Sequence, residues 1–227
     1  MVDSSAAVLH SAKFSKAIIE RLDQIVPLDV TVLDPFAGVG CIHQLGVPFS
    51  NRDTYGIEIE PEWAAAHPRT EVGNALELPF DDGTFDVCVT SPCYGNRFAD
   101  HHAAKDGSIR RSYTHDMRRL TGDADRKLHP DNAGTLAWGP KYRAFHIRAW
   151  REVWRVLVDG GYFYLNVSDF YANRRRVKVT NWHVGAVIGI GFMLEDRETV
   201  MTPRMRHGAN RERVEGEQLL TFRKVGG

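Results

Sequence analysis

Three short turns carry residue types that can do chemistry together. Asp34 opens the run Pro35-Phe36-Ala37-Gly38-Val39-Gly40, Glu58 closes the next apolar segment, and Ser91-Pro92-Cys93-Tyr94 ends a later one. Glycines let a ligand come close to the backbone, and Asp34 offers a carboxylate to an ammonium or hydroxyl group. An acidic residue at the end of the following strand can accept hydrogen bonds from both hydroxyls of a ribose, which is the role expected of Glu58. Cys93 is either a nucleophile or a small residue filling the turn. Cys41 and Cys88 read as small hydrophobes. His101, His102, His115 and His129 have neither a cysteine partner nor a regular ligand spacing, so no metal centre is expected.

Such turns need a frame. Residues 30–34, 54–58, 71–73 and 85–90 are short apolar or β-branched runs, separated by segments long enough for helices, with Pro61 opening one of them. That rhythm indicates βαβ units and a doubly wound sheet. From 95 to 142 the chain is polar, with no sustained periodicity, and long stretches of that kind are usually functional. Phe145, Trp150, Val153, Trp154, Leu157 and Val158 then form a helical stripe that ends at Gly160-Gly161. A strand over 162–167, a helix capped by Asn181 and closed by Gly191, and strands near 194–201 and 218–222 complete the pattern.

The motifs DPFAGVG, GIEIEPEW, GNALELPF and TSPCYGNR, in that order, resemble the successive motifs of S-adenosylmethionine-dependent DNA amino-methyltransferases (the N4-cytosine and N6-adenine type). The chain is especially similar to small phage and actinobacterial DNA methylases. The resemblance implies an α/β, Rossmann-like class I methyltransferase fold: a mostly parallel seven-stranded sheet, helices on both faces, and a C-terminal β-hairpin. It implies S-adenosyl-L-methionine as cofactor. His10, Lys13 and Phe14 would close over its methionine end, where Asp34, Pro35, Phe36, Gly38 and Gly40 form the pocket, and Glu58 would hold the ribose. Asn74 and Ala75 fall where the family usually has Asp-Ala beside the adenine; the Asn74 side-chain oxygen would accept from the adenine amine.

The family pattern at the catalytic turn is Asp, Asn or Ser, then Pro-Pro, then an aromatic residue. By resemblance, Ser91 Oγ and the Pro92 carbonyl would accept hydrogen bonds from an exocyclic base amine and free its lone pair to attack the methyl group. Tyr94 would stack on the flipped-out base. Serine at the first position leans toward N4 of cytosine over N6 of adenine. Pro-Cys also occurs in cytosine-C5 methyltransferases, but Cys93 stands where this family has its second proline.

Net charge is zero, yet residues 1–96 hold 5 basic and 14 acidic side chains and the remainder holds 24 and 15. The basic half either faces a polyanion or lines solvated surface. On the first reading DNA is the partner, met by Arg97, His101, Lys105, Arg110 and Arg111 in an inserted loop region at 97–142. Arg174, Arg175, Arg176, Arg204, Arg206 and Arg211 would add phosphate contacts, and Tyr113, Trp138 and Tyr142 would supply stacking surfaces. One domain spans 1–227. No apolar run approaches the ~20 residues of a membrane-spanning helix, and three cysteines without CxxC spacing fit a reducing cytoplasm. An RNA or small-molecule methyltransferase on the same fold, or a catalytically degenerate DNA-binding relative, are the alternatives.

Overall fold

The computed structural model describes residues 13–46, 51–93, 95, 112–172, 175–202, 214 and 216–226. Helix α1 spans Lys16–Ile25, and strand β1 (Thr31–Asp34) leads through a 3-10 turn (Cys41–Gly46) to β2 (Asp53–Glu58). Then come α2 (Pro61–Ala64), β3 (Thr70–Val72), β4 (Phe85–Thr90), α3 (Tyr113–Thr121), α4 (Pro140–Val156) and β5 (Leu157–Val167). A small hairpin of β6 (Phe170–Ala172) and β7 (Arg175–Val177) precedes α5 (Val179–Ile188), and β8 (Phe192–Met201) and β9 (Gly216–Lys224) close the chain.

Seven strands form one sheet in the order β3-β2-β1-β4-β5-β9-β8. The first five run parallel, while β9 is antiparallel to both β5 and β8, which gives the expected C-terminal hairpin. Alternation along the strands feeds two cores, as a sheet covered on both faces requires. Leu33, Cys88, Phe163 and Leu165 meet Trp150 and Val153 of α4 and Val187 of α5. Val32, Val87, Val89 and Tyr164 meet Ile18 and Leu22 of α1. The Ser15 side chain caps α1 by accepting from the Ile18 amide, and the helix stops before Pro27.

The sheet edge that matters is the one where the parallel strands end. β1 lies between β2 and β4, so the direction of winding reverses beside Asp34, and a crevice opens there. Glu58 ends β2 and Ser91 follows β4 at the same edge.

Several elements differ from the sequence expectation. Gly160 and Gly161 lie inside β5 rather than before it, where the pairing with β4 jumps from Phe85–Leu157 to Val87–Tyr162. A Cβ on Gly161 would sit 2.9 Å from the Asp86 and Val158 carbonyl oxygens, so the bulge needs glycine. Helix α5 begins before Asn181, and its cap comes from far away in sequence: Asp169 Oδ1 accepts from the Thr180 amide at 2.9 Å. Asn181 instead accepts from Arg197. The polar stretch after residue 95 contains α3, which buries Tyr113 and Met117 against Trp63.

Candidate active site

The cleft at the strand ends measures about 770 Å³ counted out into solvent. Lys13, Phe14, Asp34, Pro35, Phe36 and Gly38 line one part of it, with Glu58, Asn74, Ala75 and Ser91 further along. Nine of the eleven expected cofactor residues therefore surround one space, together with Ser91 of the expected catalytic turn. A tenth, Gly40, has another reason to be glycine: its φ is 79°, and a Cβ there would meet His67 Cβ at 2.7 Å. His67 stacks on His43, whose ring nitrogens share hydrogen bonds with Thr54 and Thr70, so a small histidine stack braces the loop from behind.

Two buried carboxylates dominate the electrostatics. Asp34 is 1% exposed, and its Oδ1 accepts from the Phe36 amide at 3.0 Å and from the Thr90 hydroxyl at 2.7 Å. Burial pushes its carboxyl up to about 7 against the opposing pull of those two donors. Glu58 accepts from the Gly38 amide through Oε2 and from the Glu60 amide through Oε1, both at 2.9 Å. Burial pushes Glu58 up to about 7 as well, with Glu60 adding to the rise. Glu58 thus shapes the Gly-rich turn besides facing the cleft. Two carboxylates held out of water at a crevice fit a ligand that is cationic at one end and carries hydroxyls at the other.

The turn that follows β4 is held from several sides. Asn166, at the end of β5, donates through Nδ2 to Ser91 Oγ at 3.2 Å and to Glu217 Oε2 at 2.6 Å. Beneath the turn, Trp150 Nε1 donates to His183 Nδ1 at 3.1 Å. Burial keeps His183 well below its ordinary value, so the neutral ring carries its proton on Nε2, facing the Tyr142 hydroxyl at 3.1 Å. Tyr142 then donates to the Cys93 carbonyl at 2.7 Å. The chain of donors runs one way and ends on the backbone of the turn.

The surroundings of Cys93 disfavour a thiolate. Burial pushes its thiol up to about 11, and Sγ donates to the Tyr113 hydroxyl at 3.3 Å. Cys88 lies in the core, whereas Cys41 is half-buried at the cleft wall. Tyr113 and Tyr142, expected among stacking surfaces for bases, are buried and serve packing and positioning instead. Asn74 also behaves differently from the expectation. Its Oδ1 is taken by the Leu76 amide at 3.0 Å, and its Nδ2 donates to Asp131 Oδ2 at 3.1 Å.

Among the residues after 95, those described fold back over the cleft. Asp131, Asn132, Ala133 and Tyr113 line it. The anchor is Glu60, fully buried, whose carboxylate accepts from the His129 amide at 2.7 Å, Asn132 Nδ2 at 2.8 Å and Arg126 Nη2 at 3.0 Å. Arg126 also pairs with Glu62 and holds that carboxyl below its ordinary value.

Of the expected DNA contacts, Arg175 is exposed on β7, and Arg176 beside it donates to Asp169 Oδ2 at 2.9 Å. Tyr94, His10, Arg97, His101, Lys105, Arg110, Arg111, Arg174, Arg204, Arg206 and Arg211 lie outside the described residues. Within the described residues no group of three or more metal-ligating side chains is arranged to hold an ion, and no helix is long and apolar enough to cross a membrane.

The sequence does not single out Thr90, Asn166, His183, Glu60 or Asp131, and Tyr142 reads from it only as a stacking surface. Asn166 alone had a legible signal, since it sits near the end of an apolar strand beside β4. The others act through contacts that no local pattern reveals.

No family pattern matches the chain, and no curated protein matches it. Solved structures do. A chain in the complex between the Haloferax volcanii Trm112 methyltransferase activator and a methyltransferase is 14% identical, covering 92% of this chain and 90% of that one, with a TM-score of 0.58. The 4+2 cyclase SpnF is 16% identical over 96% and 85%, with a TM-score of 0.56. The Burkholderia thailandensis 1,6-didemethyltoxoflavin-N1-methyltransferase, solved with 1,6-didemethyltoxoflavin and S-adenosylhomocysteine bound, is 16% identical over 93% and 79%, with a TM-score of 0.53. A cyclase among them makes plain that this architecture hosts more than one reaction. The chain has the class I fold of S-adenosylmethionine-dependent methyltransferases.

Proposed function

We propose that this protein transfers a methyl group from S-adenosylmethionine to the exocyclic amine of a flipped-out DNA base, with N4 of cytosine favoured over N6 of adenine. The observation that carries the reading is the meeting of Asp34, Glu58 and Ser91 around one cleft, at the edge where β1, β2 and β4 end. When bound, the cofactor supplies an electrophilic methyl on a sulfonium centre. Asp34, with Oδ1 committed to Phe36 and Thr90, keeps Oδ2 for a ligand ammonium. Glu58 faces the ribose hydroxyls.

At the turn, Ser91 Oγ and the Pro92 carbonyl accept from the base amine, drawing it toward tetrahedral geometry. Asn166 orients Ser91, and Tyr142 holds the Cys93 peptide that follows Pro92. Catalysis of this kind rests on positioning and fixed dipoles rather than on a group that changes its charge. Tyr94, outside the described residues, would stack on the base.

A small-molecule substrate is the second reading. The Burkholderia enzyme of the same fold is a methyltransferase of 1,6-didemethyltoxoflavin N1. Part of the basic excess in this chain is also consumed internally, since Arg126, Arg155, Arg176 and Lys224 all stand in ion pairs. Incubation with methyl-labelled cofactor and DNA, RNA or free nucleotides, followed by mass spectrometry of nucleosides, separates the readings. N4-methylcytosine or N6-methyladenine from DNA is the expected product. Label only in RNA or nucleotides overturns the DNA reading.

A further inference from the structure

On the cofactor reading, the pocket wall that follows β3, at Asn74 and Ala75, would face the adenine. Here that wall has an unusual chemistry, because Asn74 stands at the position and its amide is already committed. The Leu76 amide needs an acceptor and takes Asn74 Oδ1 at 3.0 Å. The nitrogen is therefore left to point the other way, where it donates to Asp131 Oδ2 at 3.1 Å. These two contacts also fix which end of the amide is oxygen, since reversing it would set donor against donor and acceptor against acceptor.

An amine facing this wall would find Asn74 Oδ1 already held by a backbone amide, with a charged and therefore stronger acceptor beside it. The group that can accept from it is the carboxylate next door. Asp131 lines the same cleft as Asn74 and Ala75. Asn74 occupies Oδ2, and a carboxylate has further lone pairs on both oxygens. The backbone around Asp131 is fixed as well. Its own amide donates to His129 Nδ1 at 3.1 Å, and both His129, two residues earlier, and Asn132, the next residue, donate to the buried Glu60 carboxylate. A side chain exposed at the mouth of the cleft is therefore mounted on a rigid base.

We propose that Asp131 is the residue that reads the adenine of the cofactor, accepting from its exocyclic amine, and that Asn74 is the positioning residue that holds Asp131 in place. The assignment rests on the cofactor reading above and deepens it. It moves the carboxylate from the strand-end position to a segment inserted much later in the chain. A carboxylate accepts from an amine and repels a carbonyl, so the pair distinguishes adenosine from its 6-oxo counterpart, inosine.

The test is calorimetric titration of the full chain with S-adenosylhomocysteine and with S-inosylhomocysteine. Loss of a hydrogen bond to a charged acceptor is expected to weaken adenosine binding about 10-fold in D131A, and a preference of ~30-fold or more over inosine in the parent should shrink below ~3-fold. Asp131 is exposed, so the substitution removes no core packing. N74D in the parent places two carboxylates side by side and should weaken binding. N74D in the D131A background should restore the adenosine preference, a reversal of sign that a merely structural role would not produce. A full preference surviving in D131A, or no preference in the parent, overturns the assignment while leaving the cofactor reading intact. Failure of the parent to bind either compound overturns both.

Discussion

Replacing Asp34 by asparagine removes one negative charge from the cleft and little else. Asn keeps an oxygen able to accept from the Phe36 amide and the Thr90 hydroxyl, the two protein donors that hold Asp34 now. Burial pushes the Asp34 carboxyl from an ordinary 3.8 up to about 7. The folded chain therefore binds this proton more tightly than the unfolded chain does. The stabilisation is fully present below about pH 4, declines above it, and is lost as pH rises through about 7. Between pH 5 and pH 8 the wild-type protein should lose roughly 3 kcal/mol from this one group. Glu58 contributes a slope of the same sign, but it is present in both proteins and cancels in the difference. Urea denaturation at pH 5, 6, 7 and 8 reads the effect directly. The stability of D34N relative to wild type should rise by roughly 3 kcal/mol across that range. Cofactor binding should move the opposite way, because the charge that destabilises the empty cleft is the one that meets the ligand ammonium. Parallel stability curves for the two proteins would refute the reasoning, since Asp34 would then be hydrated in the folded state.

Other perturbations separate positioning from binding. Ser91→Ala should lower turnover by about 100-fold while S-adenosylhomocysteine affinity in calorimetry stays within about 3-fold, as expected where an interaction is made chiefly in the transition state; unchanged methylation would remove Ser91 from the mechanism. Tyr142→Phe deletes the hydroxyl that holds the Cys93 carbonyl, and about a 10-fold fall in turnover at unchanged cofactor affinity is expected in the labelled-methyl assay. On duplex DNA, the logarithm of affinity against the logarithm of salt should slope by about −0.9 per phosphate met, and Arg175→Ala should reduce that slope by about 1. A slope near zero would make the basic half solvated surface.

What could be read ahead of the structure follows from where the information is stored. The central strands are buried on both faces, so β1 and β4 appear in the sequence as short, largely apolar runs that lead into Asp34 and Ser91. Strand ends of a parallel sheet share one edge, and this is why Asp34, Glu58 and Ser91 could be grouped from linear order alone. Helix α3 is the contrary case. It buries few side chains, and it is held by contacts with Trp63 and by the neighbouring segment rather than by its own periodicity. The cap of α5 was assigned to Asn181 because a cap is sought next to its helix, whereas Asp169 reaches it across the β6–β7 hairpin. Tyr142 was misread for a related reason. An aromatic residue in a basic stretch has the composition of a stacking surface, and only burial beneath the catalytic turn reveals its other use. Asp131 had no signal at all, because its meaning depends on an asparagine 57 residues earlier.

The anchoring of the inserted segment on Glu60 bears on how ligands come and go. Three donors from residues 126, 129 and 132 converge on one carboxylate that water does not reach. A displacement too small to admit water would strip those bonds and return nothing, whereas full release would let the carboxylate hydrate. The three bonds are therefore expected to be lost together, so loosening of this segment should be cooperative rather than gradual. On the proposed function, such loosening would precede exchange of the cofactor, a step distinct from methyl transfer.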